Sequence, residues 1–173
     1  MPELDPFAVS ISSFLQPELN EAISNASSPP LCGGSVDEAL KRQLLLLGDD
    51  PWDGISAESR LLAISGLWLL AGELDLSHDI SQTIDTPTGS FWHGIMHRRE
   101  GDFSNAKYWF RRSGQHLAIR QIAENSHGVY CDPFDFVDAC EKALLGSNHE
   151  IEKCQLAQWI EWQTLMVHSL QQQ

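Results

Sequence analysis

The chain is 173 residues long, 42% hydrophobic and 20% charged, with a formal net charge of −13. That length suits one domain with a real core, and the acidic balance argues against nucleic acid as a partner, because phosphate binding needs clustered Lys and Arg. No apolar run approaches the roughly 20 residues that span a bilayer, since Leu61–Ala71 is broken by Ser65 and Gly66, so no membrane partner is expected.

The start, Met-Pro-Glu-Leu-Asp-Pro, carries no basic residue ahead of an apolar stretch and does not read as a secretory signal. Asp5-Pro6 predicts a short helix to Leu15 and Pro17 another to Ile23, because Pro suits the first helical position. Residues 25–34, rich in Ser, Pro and Gly, read as a loop. Residues 1–34 are thus expected to be an arm, and residues 35–173 a single domain.

Ser35-Val-Asp-Glu38 matches a capping box and predicts a helix to about Leu47, closed by Gly48. Residues 49–54 predict a turn. Ser56 is the next cap, opening a helix whose Leu61, Leu62, Ile64, Leu67, Trp68, Leu69 and Leu70 cover most of its circumference, the mark of a central helix. Gly72 ends it. Leu74–Ile84 predicts a shorter amphipathic helix, and Asp85-Thr-Pro-Thr-Gly89 a break. Two helices follow, Phe91–Glu100 and Phe103–Ser113, turning at Gly101-Asp102 with Asp102 as cap. The segment from Gln115 to Asn125 continues as helix. Asp132-Pro133 opens another that closes at Gly146, and the capping box Ser147-Asn-His-Glu150 opens the longest, to about Leu170, with a Gln-rich end expected to fray. No window alternates with period two. The fold class is therefore all-α, a compact domain of antiparallel helical hairpins. The Trp-rich last helix offers a face for a homo-oligomer.

The four cysteines, Cys32, Cys131, Cys140 and Cys154, form no Cys-x-x-Cys pair or zinc-ribbon spacing. They read as reduced, mostly buried thiols of a cytoplasmic protein. A Walker loop, Gly-x-Gly-x-x-Gly and a Gly-x-Ser-x-Gly elbow are all missing from the sequence.

Chemistry concentrates in residues 90–114. These hold five basic and two acidic side chains, a net +3 inside a chain that is otherwise −16. Helical projection puts Phe91, Trp92, Ile95 and Met96 on one packing face and Phe103, Ala106, Trp109, Phe110 and Ser113 on another. It predicts that Gly94 and Ala106 meet. His93, His97 and Glu100 share an adjacent side, and Arg99 falls inside an apolar arc, where a charge must be paired or face a ligand.

The spacing Gly94, Gly101, Ala106, Phe110 resembles the tetratricopeptide pattern over roughly residues 87–120, departing from it at Ser113 and lacking the Pro that should follow. The resemblance implies a helical hairpin and α-solenoid-like stacking.

Two functional readings follow. In the first, the chain is a binding or interaction module with no cofactor, whose hairpin takes an anionic small molecule or acidic peptide. Arg98, Arg99, Lys107, Arg111 and Arg112 supply the charge, Tyr108 a hydroxyl, and His93 and His97 polar walls. In the second, the chain is a metal-dependent enzyme holding a divalent ion such as zinc on His93, His97 and Glu100, with His116 or His127 approaching from elsewhere. The i, i+4 histidines carry the second reading, but Gly94 follows the first histidine, so the catalytic Glu of His-Glu-x-x-His is missing.

Overall fold

The computed structural model describes residues 4–48 and 50–171. Among them the chain is all-helical, with no strand and nine α-helices: α1 (Pro17–Asn25), α2 (Glu38–Leu46), α3 (Ala57–Ala71), α4 (Leu74–Ser81), α5 (Pro87–Glu100), α6 (Phe103–Ser113), α7 (Leu117–Asn125), α8 (Pro133–Leu144) and α9 (Asn148–Leu170). None is long and apolar enough to cross a membrane.

Most of the caps form as expected. Ser56, Asp102, Asp132 and Ser147 accept backbone N–H bonds at the starts of α3, α6, α8 and α9, and Ser147 with Glu150 completes a reciprocal box. Gly72 and Gly101 end α3 and α5 in the left-handed region, at φ 81° and 86°. Several boundaries differ. The first predicted helix is a 3-10 turn over Val9–Ser13. The α2 cap is Asp37, whose Oδ1 accepts from Ala39 and Leu40, in place of the predicted Ser35. His116 caps α7, so that helix begins at Leu117 after the Gly114 break. The predicted break at residues 85–89 is the first turn of α5, with Thr86 as cap and Pro87 at the first position. In the predicted 49–54 turn, Asp49 lies outside the described residues, as does the Gln end beyond Gln171.

Helix α5 is the axle of the molecule. It packs against α3, α4, α6 and α9, and every residue from Thr88 to Arg99 is buried. It therefore has no solvated polar face, and its histidines and arginines lie inside along with Phe91, Trp92, Ile95 and Met96. Glycines admit the neighbours. A Cβ at Gly94 would stand 2.9 Å from the Phe110 ring, which occupies the place expected of Ala106, and one at Gly66 on α3 would stand 2.7 Å from Trp92. Two indole N–H groups find partners across the core: Trp92 donates to Ser169 Oγ at 2.9 Å and Trp162 to the Gly66 carbonyl at 2.7 Å.

The last helix is internal. Trp159 and Trp162 are buried and stacked on each other, so the face suggested for a second copy is covered by this chain. The arm packs on the body. Leu15, Leu19, Ile23 and Leu31 join the core, and Gln158 of α9 donates to the carbonyls of Pro29 and Pro30 at 3.2 Å.

Candidate functional site

The hairpin of α5 and α6 divides its polar residues among three environments. The first is closed. Arg98 is fully buried and forms a bidentate ion pair with equally buried Glu161 of α9. It also lies 4.6 Å from the centre of the Phe136 ring. Burial opposes its charge, but Glu161 more than offsets this and holds the guanidinium above its ordinary pKa. Arg99 donates to the Leu69 carbonyl at 3.1 Å and the Gly33 carbonyl at 3.2 Å. A cation thus sits at the C-terminal end of α3, where the helix dipole favours it, and ties the arm to the core. Burial, with help from Arg98, lowers its pKa to about 10. Both guanidiniums bond within the chain through their terminal nitrogens, while the Nε of each is buried without a partner.

The second environment lies between α4, α5 and α6. His93 and His97, one turn apart, bring their Nε2 atoms to 2.9 Å. His78 of α4, absent from the sequence-based set, closes on both: its ring centre lies 4.7 Å from that of His93 and 5.5 Å from that of His97. One ligand atom from each of the three falls within 4.8 Å of the others. Glu100 does not stand beside them as a third ligand; its Oε2 accepts from His97 Nδ1 at 2.9 Å. Asn105 of α6 lies against the His97 ring, 3.1 Å from Nε2. Trp109, half-buried rather than fully so, stacks on His93 with ring centres 3.8 Å apart. Burial first, then the neighbouring His97 and His78, push the pKa of His93 down to about 3, with the Ser81 backbone pulling weakly the other way. Burial also lowers that of His97, against Glu100. His127 lies in the exposed loop after α7, away from the cluster.

The third environment is a cleft of about 810 Å³ where α5 and α7 begin and α6 and α9 end. Thr86, Pro87, Thr88, Arg112, His116 and His168 are among its walls. His116 Nδ1 accepts from the Ala118 N–H at 3.1 Å, so Nε2 carries the proton and donates to Thr88 Oγ1 at 3.0 Å. Burial and the nearby His168 lower the pKa of His116 to about 4, which keeps the ring neutral. Arg112 contacts exposed Asp85 at 2.7 Å and lies 5.2 Å from the Trp109 ring centre.

The other expected contributors lie apart. Lys107 pairs with Asp138 at 2.5 Å and Arg111 lies 5.9 Å from the Phe134 ring centre, while exposed Tyr108 reaches Arg112 with its hydroxyl without lining the cleft itself. Of the five predicted cations, only Arg112 borders the cleft. All four cysteines are free, Cys140 and Cys154 buried and Cys131 exposed.

No known protein family, curated protein or solved structure matches the chain.

Proposed function

We propose that the protein is a cytosolic helical ligand-binding protein that takes a small anionic molecule in the cleft at the start of α5 and α7. The supporting observation is the composition of that cleft. In a chain of net charge −13, its eleven described lining residues include Arg112, His116 and His168 and no carboxylate. Its volume lies in the range of about 300–1,000 Å³ typical of small-molecule sites. Two helices begin at its wall, and their dipoles favour negative charge. The Arg112–Asp85 pair is a surface contact whose acid side chain is 89% exposed, the kind of weak pair an incoming anion can displace. A cleft of this size suits a small molecule better than an acidic peptide.

The test is thermal unfolding with inorganic phosphate, pyrophosphate and citrate. At least one should raise the melting temperature of the wild type, and Arg112→Gln should abolish the rise while Lys107→Gln leaves it intact. No stabilisation by any of the three, or an equal rise in Arg112→Gln, contradicts the proposal.

A further inference from the structure

The histidine cluster is not absorbed by the cleft, and its hydrogen bonding does not close. Glu100 can only accept, so the 2.9 Å contact fixes a proton on His97 Nδ1. The lone pair of neutral His97 is then on Nε2, facing His93 Nε2 at 2.9 Å. If His93 donates across that gap, its own Nδ1 is left a bare acceptor, and that atom is buried with no hydrogen-bond partner. If the proton is on Nδ1 instead, two lone pairs face each other, and Asn105 Nδ2, 3.1 Å from His97 Nε2, can relieve only that of His97. A proton on His97 Nε2 would bridge the two rings with Glu100 as counter-ion, but it too leaves buried His93 Nδ1 without a partner. Every arrangement built from the protein alone leaves one buried ring nitrogen unsatisfied, a cost of about 1–3 kcal/mol.

We propose that His78, His93 and His97 form a binding site for a divalent transition-metal ion, zinc foremost. A cation between the rings takes both Nε2 lone pairs at once and removes their repulsion. Two nitrogen ligands of a tetrahedral zinc stand about 3.4 Å apart. The observed separations, from 2.9 Å between the Nε2 atoms to at most 4.8 Å across the set, bracket that value. Small rotations of the rings complete the geometry. Three imidazoles are the donor set that zinc and its neighbours prefer over magnesium or calcium. Glu100 has the part of the carboxylate behind a ligating histidine: it fixes the tautomer and aims Nε2 at the ion. Two ligands come from α5 and one from α4, so the ion staples the axle of the fold to its neighbour and leaves a coordination position for water. This site is independent of the cleft, and either can stand without the other.

The experiment uses the untagged full chain, stripped with chelator and titrated with zinc, with metal content measured after desalting. The expected result is one zinc per chain, with zinc raising the unfolding temperature. His78→Gln, a change at a half-buried position, should lose the bound zinc while keeping the helical circular dichroism. Glu100→Gln should retain the site with affinity weakened about 10–100-fold. His149→Gln, at an exposed position far along the chain, should bind like the wild type. Cobalt in place of zinc should give the visible absorption of a four-coordinate site, lost in His78→Gln. Failure of the folded wild type to bind zinc, or undiminished binding by folded His78→Gln, overturns the proposal.

Discussion

Two buried polar clusters flank helix α5, and they differ in one respect. At Arg98, the charge meets a carboxylate of equal burial from α9, in a bidentate contact that uses both oxygens of Glu161. At His93 and His97, two nitrogens meet with nothing between them, and a third histidine stands close by. The first cluster balances its charges within the protein, although Arg98 Nε is left without a hydrogen-bond partner. In the second, no distribution of protons gives every ring nitrogen a partner. The difference between them is charge pairing: one holds an ion pair of equal burial, the other facing ring nitrogens that a cation would pair.

The largest effects should come from unbalancing the ion pair. Arg98→Met or Glu161→Leu alone strands a buried charge and should cost about 3–5 kcal/mol in urea unfolding. The double variant removes both charges and should recover most of the loss. A double variant as unstable as either single change would break the contrast, because the pair would then matter for more than its own compensation.

Next come the glycines that let α5 sit at the centre. Gly94→Ala drives a methyl against the Phe110 ring at 2.9 Å and should cost about 1–3 kcal/mol. It should also disturb the Trp109 stack on His93, read as a change in tryptophan fluorescence. An unchanged stability would mean that the hairpin packs less tightly than described.

A smaller effect concerns pH. His116 has a folded-state pKa of about 4, against an ordinary 6.5. Between these values the unfolded chain binds the proton more readily, so stability falls as pH drops from 6.5 towards 4, by up to about 1.4 kcal/mol per pH unit for one proton. Above 6.5 this contribution is fully present. His116→Asn can still cap α7 but does not titrate, so its unfolding free energy should decline less steeply over that window. An identical slope would contradict the assignment of His116 as a buried neutral ring.

The smallest effect is expected where the sequence was most heavily charged. Lys107→Ala removes a partly exposed pair with Asp138 and should change stability by no more than about 0.5 kcal/mol.

The pattern of these residues also explains what could be read in advance. The all-helical class and the caps at Ser56, Asp102, Asp132 and Ser147 were legible because a cap is a local device, a side chain satisfying an amide two or three residues on. The start of α5 was not. Thr-Pro-Thr-Gly reads as a break by composition, but Gly89 lets the Ile84 carbonyl come within 2.3 Å of where a Cβ would be, so tertiary packing overrides local propensity. Arg99 was visible as a charge on an apolar arc, yet its partners are the carbonyls of Leu69 and Gly33, which no side-chain pattern announces. Glu161 lies 63 residues beyond Arg98. His78 carries no motif of its own; it joins the pair on α5 only because α4 packs against that helix. The i, i+4 spacing thus identified two members of the cluster, and the fold supplied the third while moving Glu100 behind them.

The most direct test of the contrast is nitrogen NMR of the histidine rings in the full chain, before and after one equivalent of zinc. The account predicts that His93 and His97 both become Nε2-bound rings carrying their proton on Nδ1, while the Arg98 guanidinium signals do not move. Histidine signals unchanged by zinc in the folded protein would contradict it.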